Sequence, residues 1–430
     1  MKTTLRKIIS YILQIESRLV LAKYKPKVVA ITGSVGKTST KDAVYAVVSK
    51  ISHVRKSQKS YNSEIGLPLT ILGVPNAWNS PTKWLSNILK GLWLIIWPHK
   101  YPKWLVLEVG VGKPGDMKKT ASWLKTDAVI ITAIGETPAH IEFFNSRSHL
   151  IEEKSGLIKT LKKDGLLVLN ADDDAVMEMK AKTKCRVMTY GLKDGADVLG
   201  SEDKILYAVT GEPEGLIFRV DSDGSSIPVV IEGVFGKNHI YASLATLALS
   251  LGLKWNMLDA VNALKNYDVP PGRMRLLKGI KDTSIIDDTY NSSPFACESA
   301  LRTLGELSDG RKIAVLGDML ELGRHTIEAH KNVGKIAKQN ADVLFVVGPR
   351  AQSIKDGAME AGMKEETIFE FTNSLETGEF IKTFINKGDL VLVKGSQGMR
   401  MERVVGEIML NQENINNLLV RHDTEWLNKK

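Results

Sequence analysis

The stretch Ile31-Thr32-Gly33-Ser34-Val35-Gly36-Lys37-Thr38-Ser39-Thr40 constrains this chain more than any other. It follows an apolar run over 27–32 and precedes a helical pattern, the setting a phosphate cradle requires. Glycines let backbone N–H groups approach phosphate oxygens, and the helix N-terminus adds partial positive charge. On that reading Gly33, Ser34, Gly36 and Ser39 line the cradle, Lys37 reaches the β- and γ-phosphates, and the Thr38 hydroxyl binds Mg²⁺. The general pattern has a glycine five residues before the second glycine, where this chain has Ile31. A glycine-rich turn before a helix is the plainer alternative.

The 430 residues are too many for one core, so two or three domains are expected. Residues 27–190 alternate apolar runs (27–32, 104–108, 128–132, 166–170) with helical patterns, which implies a parallel sheet covered on both faces. Residues 196–232 read as three short strands with turns at 211–215 and 221–224. Helical patterns follow at 239–251 and 256–266. Pro270-Pro271-Gly272 marks a hinge. Beyond it, strands at 284–287, 312–316, 343–347 and 390–393 alternate with helices at 294–307, 326–339, 375–386 and 399–410. The expected α/β architecture is an amphipathic helical segment (1–26), a central phosphate-loop parallel-sheet ATPase domain (27–269) and a C-terminal doubly wound, Rossmann-like domain (270–430). The sheet order of the second domain is not readable from sequence.

Cys185 and Cys297 lack metal-ligand spacing and cannot make a disulfide framework, which fits a reducing compartment. The N-terminal apolar stretch is broken by Ser10, Gln14 and Glu16, a poor secretion signal, so a cytoplasmic location is expected. A net charge of +9 steers anionic partners to the surface. There is no recognised nucleic-acid motif, and an anionic nucleotide substrate explains the charge as well as a generally basic surface does. Within 76–104, the segment 88–97 is apolar apart from Lys90, and Trp84, Trp93, Trp97 and Trp104 stand among lysines. It is too short to span a bilayer. It suits either a helix at a membrane surface or one packed on the protein or on a second copy.

Further pieces stand in a fixed order. They include Asn62-Ser63-Glu64-Ile65-Gly66-Leu67-Pro68, Leu107-Glu108-Val109-Gly110, Ala139-His140-Ile141-Glu142, Glu153-Lys154, Leu169-Asn170-Ala171-Asp172-Asp173, Gly272-Arg273, Asp287-Asp288-Thr289-Tyr290-Asn291, the run 316–323 and Val393-Lys394-Gly395-Ser396. Together with the short Thr-Gly-Ser-x-Gly-Lys-Thr-Ser loop, their joint order over about 27–410 resembles the Mur ligase family. The resemblance implies an ATP-dependent amide ligase of peptidoglycan precursor synthesis. Such an enzyme activates a nucleotide-linked muramoyl-peptide carboxylate as an acyl phosphate and joins it to a dipeptide amine, D-alanyl-D-alanine.

It also implies site roles. Glu108 and His140 hold Mg²⁺, Lys154 is carbamylated and helps bind a second Mg²⁺, and Asn62 approaches the muramoyl-peptide. Asp288, Tyr290 and Asn291 face the nucleotide and the incoming amine. Arg273, entering after the hinge, suits neutralisation of the transferring γ-phosphoryl group, because guanidinium binds phosphate bidentately. Lys394 and Ser396, ending the last strand, suit the carboxylate of the amine substrate. Asn238 and His239 suit an adenine edge, in an order interchanged from the family's His-Asn. Read alone, Glu108 is equally a salt-bridge partner, His140 a capping or core histidine, Lys154 one lysine of an amphipathic helix, and Asn62 a helix cap. The loop 287–291 is otherwise a solvated strand end and turn, and Lys394 a surface lysine. The family usually carries a separate N-terminal domain for the UDP-sugar. Only 26 residues precede the first strand here, so the uridine end is expected to be held differently, weakly or not at all. Other readings are a folate- or poly-glutamate-type amide ligase, a nucleotide-gated binding or membrane-surface module, and a phosphate-loop kinase or GTPase.

Overall fold

The computed structural model describes residues 3–58, 61–135, 141–265, 267–308 and 310–422. Two sheets organise it. The first holds β1 (Lys27–Thr32), β2 (Val54–Lys56), β3 (Trp104–Glu108), β4 (Thr126–Ile131), β5 (Leu161–Asn170), β6 (Arg186–Gly191), β7 (Val198–Tyr207), β8 (Pro213–Ser222) and β9 (Ser225–Glu232), in the order β2-β3-β1-β4-β5-β6-β7-β8-β9. It is parallel from β2 to β7 and closes with the antiparallel ribbon β7-β8-β9. The second holds β10 (Arg275–Lys278), β11 (Ser284–Asp288), β12 (Lys312–Gly317), β13 (Val343–Val347), β14 (Ile368–Phe371) and β15 (Leu390–Lys394), ordered β10-β11-β15-β12-β13-β14. Only β10 runs antiparallel to its neighbour there.

The reason for these strands is in their composition. β1 (KVVAIT), β4 (TDAVII) and β13 (VLFVV) are rich in β-branched residues and buried almost throughout, as parallel strands covered on both faces must be. The chain moves from β1 outward through β2 and β3, then crosses to β4. The carboxyl ends of β1 and β3 therefore border the point where strand order reverses, and ligands of open α/β sheets bind there. In register, Ile31 pairs with Glu108, so the phosphate loop and Glu108 leave the sheet side by side.

The expected strands all form, and the three-stranded stretch after 196 has longer strands than anticipated. The short β2, the edge strands β10 and β14, and β6 carry too mixed a pattern to stand out, and a helix at Gln352–Glu360 was also not anticipated. The helix expected over 399–410 spans only Glu402–Ile408.

Four helices frame the site. α1 (Thr3–Tyr24) buries Ile9, Leu13 and Val20 against the first unit. α2 (Lys37–Ile51) follows the phosphate loop, and α3 (Gly66–Leu72) is buried along its length. α4 (Pro81–Ile96) starts at Ser80, whose hydroxyl accepts from Lys83 N at 3.4 Å, with Pro81 in the first turn where its missing N–H costs nothing. Of the four tryptophans around α4, Trp84 and Trp104 are buried, and Trp93 and Trp97 face outward.

Candidate active site

The phosphate loop is held by the two residues that follow β4. Ser34 N and Val35 N donate to Ala133 O at 2.8 and 3.1 Å, and the Thr132 hydroxyl donates to Val35 O at 2.6 Å. Gly33 has φ +145°, and a Cβ there would lie 1.9 Å from Thr132 Oγ1. Gly36, at φ +85°, turns the chain into α2. Lys37 Nζ donates to Gly33 O at 2.8 Å and Ser34 O at 3.2 Å. Lys154 Nζ reaches the same Gly33 O at 3.0 Å. Lys154 is buried and Lys37 half-buried. Burial lowers the Lys37 pKa, with Glu108 opposing and Arg273 reinforcing the shift. Burial, then the charge of Lys37, holds Lys154 well below the ordinary lysine value.

Beside these cations Glu108 accepts from Thr38 Oγ1 at 3.0 Å through Oε2 and from Asn62 Nδ2 at 3.0 Å through Oε1. Burial alone would raise its pKa. Lys41, Lys37, the Asn62 amide and Arg273 outweigh that and keep it lowered, so the carboxylate is ionised. Asn62 is no helix cap: α3 begins after Ile65, and Asn62 instead orients Glu108. Neighbouring Ser39 is buried at the start of α2 and lines the cleft beside Ser34 and Gly36.

The second sheet approaches from the opposite side. Arg273 Nη2 donates to Thr38 Oγ1 at 3.2 Å, and its guanidinium lies over the Tyr290 ring at 3.8 Å from the centroid. Asp288 ends β11 and pairs in register with Lys394 at the end of β15. Their side chains form a buried ion pair at 2.6 Å, and Lys394 also donates to Asn291 O at 3.0 Å. Asp288 Oδ1 accepts from Met274 N at 3.3 Å, fixing the backbone beside Arg273.

Three sequence expectations change here. Lys394 is no surface lysine, and its charge is taken up by Asp288. Ser396 Oγ accepts from Leu320 N at 2.8 Å and serves a loop, not the cleft. His239 turns inward: its Nε2 donates to Arg273 O at 2.7 Å and its Nδ1 meets the Tyr267 hydroxyl. Burial pushes its pKa down to about 4. Asn238, one residue away, keeps a half-buried side chain on the cleft. His140 lies outside the described residues.

One cavity of about 690 Å³ gathers Lys37, Thr38, Glu108, Lys154, Arg273 and Asn62, and Tyr290 and Asn291 also line it. A second, of about 710 Å³, lies beyond Gly36 between Asp172, Tyr190, Asn238, Tyr241 and Phe295, a chamber of base-and-ribose size. Asp172 belongs to the run Leu169-Asn170-Ala171-Asp172-Asp173, to which sequence alone gives no role. It accepts from Leu192 N, Lys193 N and Tyr241 Oη, so it builds the wall of this chamber. Between the two sheets, the Ser34 and Ser292 hydroxyls and Arg273 Nε are buried without a partner. Ser292 belongs to no motif, and only its place in the fold reveals it. Orphaned donors converging on one cleft suit phosphate oxygens.

Among the described residues no three His, Cys, Asp or Glu side chains cluster. Mg²⁺ does not require that, because it takes one or two carboxylates with substrate phosphates and water. The Thr38 hydroxyl and ionised Glu108 fit it as hard oxygen donors.

Fold and site together define a nucleotide-dependent α/β enzyme whose phosphate cleft is shared by two sheets. Residues 31–250 match the Mur ligase middle domain, and residues 272–397 match the Mur ligase glutamate ligase domain. The chain belongs to the Mur ligase family, and is an ATP-dependent ligase working with ATP and Mg²⁺. It is 29% identical over 399 residues to the UDP-N-acetylmuramoyl-tripeptide–D-alanyl-D-alanine ligase of Bacillus subtilis, covering 92% of this chain and 79% of that one. The Escherichia coli ligase of the same name is 25% identical, covering 90% and 77%. The MurF ligase of Thermotoga maritima in complex with ADP superposes with a TM-score of 0.76 at 25% identity, covering 95% of this chain and 84% of that one.

Proposed function

We propose that this ligase joins the terminal carboxylate of a UDP-N-acetylmuramoyl-tripeptide to the amine of D-alanyl-D-alanine. The observation that carries the reading is the single cavity that brings the phosphate-loop residues, Glu108, Lys154 and Arg273 together with Asn62. Arg6, Lys7, Lys113 and Lys119 also line it and outnumber Glu64 and Asp116 beside them, a net positive wall suited to an acid substrate that also carries phosphates.

A carboxylate is a poor acyl donor because oxide leaves badly. Its oxygen attacks the γ-phosphorus of ATP, the bond to the bridging oxygen breaks, and ADP leaves. The acyl phosphate then takes the amine at its carbonyl carbon, phosphate departs with the C–O electron pair, and the amine's proton passes to a base. Transfer of this kind rests on positioning and charge neutralisation. Lys37 and the loop N–H groups hold the β- and γ-phosphates, and Gly33 and Gly36 give the room. Arg273, stacked on Tyr290, neutralises charge on the transferring group. Mg²⁺, when bound, supplies further charge neutralisation at the phosphates, and Thr38 and Glu108 would hold it, with Asn62 orienting Glu108. His140, in the same motif set, is assigned as a further ligand on sequence resemblance alone.

Lys154 is read as carbamylated. Burial and the Lys37 charge favour its neutral amine, the form that adds CO₂, and the resulting anion would help hold a second Mg²⁺. Asn238 is assigned to the base, with Asp288 and Asn291 shaping the phosphate cleft. Lys394 acts through Asp288, and a direct hold on the amine's carboxylate would require that pair to open. We place the activity in the cytoplasm, where ATP is supplied. The domain limits 1–26, 27–269 and 270–430 are proposed on the same grounds, since the two sheets divide near the Pro270-Pro271 hinge.

The test is ATP-dependent phosphate release with the muramoyl-tripeptide and D-alanyl-D-alanine added singly and together. Release that needs both, with the pentapeptide product seen by mass spectrometry, is the expected result. Release with another acid and amine but not with this pair would move the enzyme to a different substrate within the family. Lys37→Ala is expected to abolish turnover.

A further inference from the structure

Half of the large apolar side chains exposed on the described surface belong to α1, α4 and the adjoining Trp97. On α1, Ile8, Ile15 and Leu19 lie along one stripe, opposite the flank whose Arg6, Lys7, Ser10 and Gln14 line the active cavity. On α4, Leu89, Trp93 and Ile96 do the same, while Trp84, Asn87 and Gly91 face the protein. The two helices are clamped together. Glu16 of α1 fits against Gly91, where a Cβ would lie 2.2 Å from its carboxylate. Lys23 Nζ donates to the carbonyls of Leu94, Ile95 and Trp97 at 2.7–3.0 Å, which caps the C-terminal end of α4. The outward stripes are therefore not needed to hold the pair in place.

The exposed charges of these two helices and their flanks have one sign. Arg18, Lys25, Lys83, Lys90, Lys100 and Lys103 are exposed, and the only acidic residue in 3–27 or 81–104 is the buried Glu16. A second copy docking through this face would set cations against cations with no carboxylate to pair them. A surface of anionic headgroups over hydrocarbon is complementary to both the charge and the apolar stripe. The Trp93 and Trp97 rings stack at 4.4 Å and are about half exposed, and indoles favour the headgroup level. No described helix is long and apolar enough to cross a membrane, so the geometry is that of helices lying flat.

We propose that the outer face of α1 and α4 seats the enzyme on a membrane surface rich in anionic lipid. The apolar side chains enter the headgroup boundary and the lysines and Arg18 contact the lipid charge, while the active cavity on the other flank of α1 stays in water.

The full chain is to be co-sedimented with vesicles of phosphatidylcholine containing about one-third phosphatidylglycerol, and with pure phosphatidylcholine, at about 0.1 M salt. The wild type is expected to sediment with the anionic vesicles at least about tenfold more strongly than with the neutral ones, with a blue shift of tryptophan emission. Leu89→Glu with Trp93→Glu is expected to lose that binding while keeping its phosphate release and circular dichroism. Lys83→Glu with Lys90→Glu is expected to weaken it and to flatten its salt dependence. Absence of wild-type binding to the anionic vesicles would overturn the proposal. So would equal binding by the charge-reversed variant, or a dimer in light scattering that Leu89→Glu with Trp93→Glu dissolves.

Discussion

Arg273 Nη2 stands 3.2 Å from the Thr38 hydroxyl oxygen, although 235 positions separate the two in sequence. One residue belongs to the strand-crossing that leads into the second sheet, the other to the helix after the phosphate loop. Their meeting places a cation from one unit on the phosphate site of the other. On the role proposed for Arg273, turnover requires the two units to be closed, since opening them would withdraw the guanidinium.

Arg273→Ala is expected to lower kcat by about 10³-fold, the scale seen for arginines that stabilise phosphoryl transfer. Arg273→Lys should recover only a small part, because an ammonium cannot stack on Tyr290 and reach the phosphate in a fork. Steady-state phosphate release checks both. Near-wild-type turnover by Arg273→Lys would show that a point charge suffices.

Asn62 holds one oxygen of Glu108 while Thr38 holds the other. Asn62→Ala is expected to raise the Mg²⁺ concentration needed for half-maximal rate by about tenfold, in line with other residues that orient a metal ligand. Saturating Mg²⁺ should restore the rate. A loss that Mg²⁺ leaves unchanged would assign Asn62 to substrate instead.

Lys154 is held toward its neutral form by burial and by Lys37. Activity is expected to fall in buffer stripped of CO₂ and to return with bicarbonate. Lys154→Ala should lose on the order of 10²-fold in kcat, with partial rescue by added short carboxylates. Indifference to bicarbonate would remove the carbamate from the mechanism.

His239 titrates at about 4 in the folded protein against 6.5 for the free side chain, because burial disfavours the imidazolium. Below pH 6.5 the unfolded chain binds a proton that the folded one refuses. This contribution is thus complete above that pH and is lost as pH falls toward about 4, a total of about 3 kcal/mol. Urea unfolding of the wild type and His239→Gln should show their stability difference shrinking by about 2 kcal/mol between pH 7 and about pH 5. A difference independent of pH would mean that His239 takes up its proton within the fold.

Lys394→Met is expected to destabilise by about 3–5 kcal/mol, since it leaves the Asp288 carboxylate buried and unpaired. Asp288→Asn combined with Lys394→Met should recover part of that loss in urea unfolding. A mild effect of the single change would show that water reaches the pair.

Much of the fold was legible because parallel strands buried on both faces must be continuous apolar runs. β1, β3, β11, β12, β13 and β15 are such runs. β2 is three residues long, β14 reads Ile-Phe-Glu-Phe, and β10 is an edge strand made by pairing with β11. None of these carries a local signal, because a partner strand creates them. The phosphate loop was legible for a different reason. Its function rests on glycines, a lysine and a hydroxyl within six consecutive positions, and the backbone shape follows from those residue types.

The sequence by itself determined the phosphate loop, the two alternating α/β series and the chemistry available to them. It did so because these depend on neighbours along the chain. Tertiary structure decided which polar groups remain free for ligands. It set His239 against Tyr267 and the Arg273 carbonyl, turned Ser396 to Leu320, closed Lys394 onto Asp288, and left Ser34, Ser292 and Arg273 Nε converging without partners. A polar side chain is spent or available according to what stands beside it after folding. Here the deciding partners come from strands and loops that meet only when the two sheets close on one cleft.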